Sequence, residues 1–249
     1  MAISKARIKY VHALEQKKIR NAEGVFVAEG PKVVGDLLVA FRPVLIIATS
    51  EWFARNGRLD CECVVVTDEE LRRTSLLQHP QEVIAVFEKP SEALVPIEEG
   101  QLVLAVDGVQ DPGNLGTIIR IADWFGFTDI YCSKSTADGF SPKVVQAAMG
   151  STARVRLHYT DLNALLAGLP EGFPVYGTLL DGRSIYTEPL EHQGVIIMGN
   201  EGNGISAEVR RHVNHPLLIP NYPLGRPTAD SLNVAVATAI TCAEFRRRL

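Results

Sequence analysis

Behind a charged start, short apolar runs of strand character appear at Val25–Val27, Val44–Ala48, Cys63–Val66 and Val83–Phe87, separated by stretches with helical spacing at Pro31–Phe41 and Asp68–Gln78. The segment EKPSEALVPIEEG, residues 88–100, then gathers Pro90, Pro96, Gly100 and several acids between two patterned regions, which predicts a linker. From Gln101 the pattern is cleaner, with apolar strand candidates at Leu102–Val106, Ile130–Cys132, Val155–Leu157, Val175–Thr178, Val195–Met198 and Leu217–Ile219. Strands alternating with helical segments predict an α/β domain built on a mostly parallel sheet with helices on both faces. The division expected is a small α/β domain over 1–90, a linker at 91–100 and a larger domain over 101–249. In open parallel sheets ligands bind where loops leave the carboxyl ends of strands, so the loops after these runs are the places to look for chemistry.

Three of those loops stand out. After Leu102–Val106 comes DGVQDPGNLGTIIRIADWFGF, in which Asp111-Pro112-Gly113 marks a turn and Leu115, Ile118, Ile119, Ala122 and Phe125 fall on one side of the helix that follows. At 100° per residue Arg120 lies nearly opposite that stripe, facing solvent or a partner; taken alone, an outward arginine reads as an ordinary surface charge. The second loop, MGNEGNGIS over 198–206, carries Gly199, Gly202 and Gly204 around Glu201. Its glycines allow close approach of backbone to a ligand, but the spacing is neither G-x-G-x-x-G nor a phosphate loop ending in Gly-Lys-Ser/Thr. A plain glycine-rich turn is the competing reading. The third, IPNYPLGRPTADSLNVAVATAITCAEF over 219–245, is a polar, proline-bearing loop leading to Asp230-Ser231, a good helix start by residue type. The helix beyond it is apolar almost all round, so it is expected to be sandwiched in its own core or to form half of a dimer interface.

Composition narrows the field. At 249 residues with 46% hydrophobic and 22% charged positions, the chain has material for one large or two ordinary domains. The four cysteines, Cys61, Cys63, Cys132 and Cys242, form no C-x-x-C pair and complete no zinc pattern, so buried free thiols in a reducing compartment are expected. The start is too charged for a signal peptide and no apolar run approaches the ~18 residues of a membrane span, which predicts a cytoplasmic protein. The net charge of −4 argues against a protein that coats nucleic acid by bulk electrostatics. Lys5, Arg7, Lys9, Lys17, Lys18 and Arg20 nevertheless crowd the first twenty positions against one acid, Glu15. That end fits either a local polyanion contact or a solvated amphipathic helix.

Taken together, the three loops resemble the motifs of the SpoU (TrmH-type) branch of the SPOUT RNA ribose 2′-O-methyltransferases. Asn114-x-Gly116 with Arg120 and Phe125-Gly126 looks like the first motif, Gly199-Asn200-Glu201-Gly202 with Gly204 the second, and Ile219-Pro220 followed by Ser231-Leu232-Asn233-Val234 the third. Each is weak alone; in order, each after a predicted strand, they are specific. Lys17-Lys18-x-Arg20 followed by Gly24–Gly30 is similar, more loosely, to the small RNA-binding domain often fused ahead of this catalytic domain.

The resemblance implies what periodicity does not: a trefoil knot near the C-terminus, a homodimer with a shared active site, S-adenosylmethionine as cofactor, and an RNA substrate, ribosomal or transfer. It implies Arg120 as the main catalytic residue, completed by Asn114, Glu201, Ser231 and Asn233. Cofactor contacts fall on Thr178, Gly199, Ile219 and Leu232, RNA contacts on Lys17, Lys18, Arg20 and Arg226, and no metal or membrane is expected. One departure is the stretch Asn221–Asp230, longer than the short glycine loop typical of the family. Two other readings stay open: a catalytically silent RNA-binding homologue of the same fold, against which Arg120, Asn114 and Asn233 count, and a nucleotide-binding oxidoreductase, against which the missing dinucleotide fingerprint counts.

Overall fold

In the computed structural model, which describes residues 3–91, 94–223, 226 and 229–248, the chain sorts into two units, Met1–Ser91 with Asp138–Arg154, and Glu92–Ala137 with Val155–Leu249. Glu92 and Ala93 of the expected linker, and Leu224, Gly225, Pro227 and Thr228 of the long loop, lie outside the described residues.

The first unit opens with α1 (Lys5–Ala13) and α2 (Lys17–Glu23) and continues through β1 (Val25–Glu29), α3 (Pro31–Leu37), β2 (Pro43–Ala48), α4 (Ser50–Asn56), β3 (Glu62–Val65), α5 (Asp68–Thr74) and β4 (Val83–Glu88). Its sheet runs β1-β4-β2-β3, antiparallel except for the β2–β3 pair. Because strand side chains alternate, each face of this sheet has its own core. Phe26 and Ala28 pack with Val34, Leu37, Ile46 and Phe87, while Val25 and Val27 pack with Val11, Leu14, Ile47 and Leu71. The basic first helix is therefore anchored, since Val11 is fully buried.

From there the chain builds β5 (Leu102–Val106), α6 (Pro112–Trp124) and β6 (Asp129–Ser133) in the second unit, then returns to the first with a segment containing α7 (Pro142–Ala148). That excursion is integral to the first core. The Phe140 ring centroid lies 4.9 Å from that of Phe26, which is itself 5.5 Å from Phe87. Arg20 is 2% exposed: its guanidinium donates to the carbonyls of Leu14 and Glu15, both at 2.7 Å, and pairs with Asp138. This corrects the expectation that Arg20 reaches RNA. Its charge is enclosed and bonded within the unit, whereas Lys17 and Lys18 are exposed.

The second unit is completed by β7 (Arg156–Thr160), α8 (Leu162–Ala167), β8 (Val175–Ser184), β9 (Gly194–Met198), α9 (Ala207–Arg210), β10 (His215–Leu218) and α10 (Val234–Arg247). Its six strands run parallel in the order β10-β8-β9-β5-β6-β7. β6 and β9 are buried along their whole length, as apolar strands covered on both faces must be. The expected strands are all present with shifted ends; the largest difference is β8, which runs on to Ser184. It pairs with β10 at Tyr176–Gly177 and again at Arg183–Ser184, leaving Thr178–Gly182 outside that ladder.

In α6 the expected stripe is buried at Leu115, Ile118, Ile119 and Ala122, and Arg120 is exposed on the opposite side together with Thr117 and Trp124. The last helix corrects the expectation in one respect. It starts at Val234 with Asn233 as its cap, not at Asp230-Ser231, because the Asn233 carboxamide oxygen accepts the amide hydrogens of Ala235 and Val236 at 3.1 and 3.3 Å. α10 buries one face against α6, while Val236 remains 49% exposed. Of the cysteines, Cys132 and Cys242 are buried free thiols, and burial pushes the Cys242 thiol up to about 12; Cys61 and Cys63 are only half-buried.

At the opposite end of the sheet from the loops after the strands, Asp129 is 8% exposed and accepts two bonds from Arg156, both 2.8 Å, and one from Thr128 at 2.7 Å, with His158 Nε2 at 2.6 Å. Burial alone raises a carboxyl pKa, but the bonds from Arg156, His158 and Thr128 outweigh it and hold Asp129 at about 2.

Two expectations follow. Asp138→Ala strands the buried Arg20 charge and should destabilise the first unit by about 3 kcal/mol, read as a lowered urea midpoint; a change below ~0.5 kcal/mol means the pair is not needed. A carboxyl with a lowered folded-state pKa contributes fully above its unfolded value, about 4, and loses that contribution as pH falls through its folded value. The melting temperature should therefore fall more steeply between about pH 4 and 2 in the wild type than in Asp129→Asn, and parallel slopes would refute it.

Candidate functional site

Four adjacent strands, β10, β8, β9 and β5, end on one edge of the second sheet because all run the same way. Ile219, Gly199 and Asp107 leave the ends of β10, β9 and β5, while Thr178 lies within β8, the first residue past its pairing with β9 at Val175–Gly177. Three of the four were expected to hold a cofactor, and parallel topology is what makes residues so distant in the chain neighbours here.

The loop after β9 is folded back on itself. Asn200 and Gly204 exchange both backbone hydrogen bonds, at 2.9 and 2.8 Å, which requires Gly204 at φ +66°. A Cβ at Gly199 would lie 2.4 Å from the Gly204 carbonyl carbon, so this close turn accepts only glycine there. The Asn200 carboxamide completes it: Oδ1 accepts from the amides of Gly202 and Asn203 at 2.9 and 3.0 Å, and Nδ2 donates to the Gly108 carbonyl at 2.7 Å. Asp107, 6% exposed at the end of β5, accepts the Ser206 amide at 2.8 Å and so fixes the far side of the loop.

Glu201 at the tip joins the three expected motifs. Its Oε1 accepts from Asn114 Nδ2 at 2.8 Å, from Asn233 Nδ2 at 2.7 Å and from the Val234 amide at 3.3 Å. Asn233 Nδ2 also donates to Asn114 Oδ1 at 2.9 Å, and the Asn114 amide is held by Asp111, the cap of α6, at 2.8 Å. The carboxylate thus sits at the N-terminus of the fourteen-residue α10, where the helix dipole favours negative charge. With Oε1 taking three donors, Glu201 acts here as a fixed acceptor that ties loops together.

The other expected residues surround this cluster. Ser231 is exposed and Leu232 is 48% exposed, both immediately before Asn233. Arg120 is exposed, six residues or about 9 Å along the axis of α6 from Asn114. Arg226 is exposed on the loop between β10 and α10. The Thr178 hydroxyl donates to the Ile197 carbonyl at 3.2 Å, so contacts from this position to a ligand fall to its backbone. Two residues on, Leu180 is 75% exposed. Exposed leucines at 180 and 232 and a tight glycine turn at 199–204 are apolar and backbone groups of the kind that receive a nucleoside without phosphates, as S-adenosylmethionine is. Among the described residues no group of three or more His, Cys, Asp and Glu is arranged to hold a metal. Sequence reasoning passed over Asp107 and Asn200 as site residues. A single acid closing the apolar run LVLAVD, and an Asn-x-Gly within a glycine turn, were the available signals.

Comparison with known proteins agrees with this geometry. Residues 101–243 match the SpoU rRNA Methylase family and residues 5–85 match the MRM3-like substrate binding domain. The 23S rRNA (guanosine(2553)-2′-O)-methyltransferase of Bacillus subtilis is 32% identical, covering 96% of each chain. An AdoMet-bound rRNA methyltransferase from Sinorhizobium meliloti is 31% identical with a TM-score of 0.86, covering 100% of this chain and 97% of its own. A TrmH-family chain from Porphyromonas gingivalis is 40% identical with a TM-score of 0.91 over the full length of both. With its catalytic-half motifs gathered by one carboxylate and its whole length matched, the chain belongs to the SpoU rRNA methylase family.

Proposed function

We propose that this chain transfers a methyl group from S-adenosylmethionine to a ribose 2′-hydroxyl of RNA, with ribosomal RNA as the substrate class. The observation that carries this reading is the Asn114–Glu201–Asn233 cluster, which joins three separated segments at the ligand-binding edge of a parallel sheet. The cofactor supplies an electrophilic methyl group on a sulfonium, whose departure is already favourable. Backbone at Thr178, Gly199, Ile219 and Leu232 would hold the adenosyl group, and the exposed side chains of Leu180 and Leu232 would offer it apolar surface.

The task left to the protein is the nucleophile. A ribose hydroxyl keeps its proton at neutral pH, so the site must aim the oxygen and stabilise charge that develops on it. As the O–CH3 bond forms and the S–CH3 bond breaks, the hydroxyl's proton passes to water. Arg120 acts as a cation that clamps the phosphate next to the reacting ribose and stabilises the negative charge developing on that oxygen; a guanidinium is a poor base because it stays protonated in ordinary surroundings. Asn114, Glu201, Ser231 and Asn233 keep the loops and the ribose in register with it. Lys17, Lys18 and Arg226 contact the RNA backbone, the first two from the 1–90 domain.

The working unit is a homodimer. Trp124, 84% exposed, and Val236, 49% exposed, stand on the outer faces of the paired helices α6 and α10, and Arg120 shares the exposed stripe of Trp124. A second copy covering that face carries Arg120 to its partner's pocket, and this accounts for an arginine turned from its own core. The C-terminal knot of the family and a cytoplasmic location belong to the same reading.

Arg120→Ala should lower methyl transfer from S-adenosylmethionine to ribosomal RNA by about 100-fold or more, while the cofactor still raises the melting temperature by linkage. Full activity in that variant would remove Arg120 from the mechanism and favour a silent RNA-binding role. Glu201→Ala leaves the amides of Asn114 and Asn233 without their shared acceptor. It should cost about 1–3 kcal/mol of stability and both cofactor affinity and turnover, whereas Glu201→Gln, which keeps an oxygen acceptor, should retain more of each. Equal behaviour of the two variants would contradict the bridging role.

A further inference from the structure

The loop between β10 and α10 is longer than the family pattern leads one to expect, and its described part is organised. The Asn221 carboxamide donates to the Arg226 carbonyl at 3.1 Å, and the Arg226 amide donates to the Pro223 carbonyl at 3.2 Å. These two bonds close a turn that carries an aromatic ring and a guanidinium: Tyr222 is 91% exposed and Arg226 is exposed.

The turn is tethered to the site at both ends. Tyr222 follows Ile219, the residue leaving β10, by three positions, so its Cα lies within about 11 Å of that strand end. On the far side the loop re-enters at Asn233, which is bonded to Asn114 and Glu201. A tyrosine ring open on both faces and a cation held in one turn are the two groups that receive single-stranded RNA. The ring stacks on an unpaired base, and the guanidinium takes the neighbouring phosphate.

We propose that Tyr222 and Arg226 form a platform that stacks one unpaired base of the substrate RNA and neutralises an adjacent phosphate, holding the strand beside the reacting ribose. This rests on the reading of the chain as an RNA methyltransferase and adds to it a base-stacking residue that the family motifs do not contain.

The test is steady-state methyl transfer from S-adenosylmethionine to an in vitro transcript of bacterial large-subunit ribosomal RNA, with variants of the full chain. Tyr222→Ala should raise the KM for the transcript by about 5- to 100-fold, with kcat and cofactor affinity within about twofold of the wild type. Tyr222→Phe, which keeps the ring, should restore the wild-type KM. Arg226→Ala should raise KM and lower the salt dependence of transcript binding by about one ion. The proposal is overturned if Tyr222→Ala leaves KM unchanged, or if Tyr222→Phe is as impaired as Tyr222→Ala. It is equally overturned if light scattering shows that Tyr222→Ala changes the oligomeric state, which would make the turn a contact between copies. A wild-type chain that methylates no RNA, transcript or total cellular RNA alike, would instead remove the enzymatic reading itself, and the platform with it.

Discussion

One carboxylate oxygen organises the catalytic unit. Glu201 Oε1 receives hydrogen bonds from the side chains of Asn114 and Asn233 and from the first amide of α10. Those donors come from the first turn of α6 and from the cap and first residue of α10, and the acceptor from the loop after β9. Hydrogen bonds to an ionised group are stronger than neutral ones, and the helix end adds a favourable dipole, so the bonds reinforce each other. Removing the acceptor would leave two carboxamides facing each other with no charge between them. The supports of Glu201 are themselves fixed: Asn200 uses its whole carboxamide to shape the turn beneath it, and Asp107 holds the turn's far end.

That arrangement was legible in the sequence only in part, and the reasons are physical. Helical periodicity is enough to turn Arg120 away from the core, because the stripe of Leu115, Ile118, Ile119 and Ala122 fixes the rotation of α6. The strands are legible as apolar runs because a parallel sheet covered on both faces admits little else. What periodicity does not carry is partnership over distance. Asn233 outcompetes Asp230-Ser231 as the cap of α10 because its side chain is already held by Asn114 and Glu201, an advantage no local preference contains. Arg20 reads as one of a group of cations because its partner, Asp138, is 118 positions away.

The same limit explains the excursion at 138–154. Phe140 and Asp138 sit in an ordinary connection between β6 and β7 as far as spacing is concerned, yet the first supplies an aromatic ring to the core of Phe26 and Phe87, and the second neutralises a buried guanidinium. The first unit is consequently discontinuous in sequence, and no single cut in the chain separates it from the second. A fragment ending near Ser91 would lack Phe140 and leave Arg20 with a buried charge and no counterion, so the stability of that unit depends on residues made after β6.

The loop that holds Tyr222 and Arg226 is an extension of the same logic to the RNA side. Its exit from β10 is fixed by the sheet and its return at Asn233 by the Glu201 node, so a long polar connection is held at both ends. A connection of that kind can vary in length and side chains while the cofactor edge stays unchanged. On the reading proposed above, substitutions between Asn221 and Asp230 change how the RNA strand is held, whereas loss of the Asn233 or Glu201 side chain disturbs the node that joins the three segments.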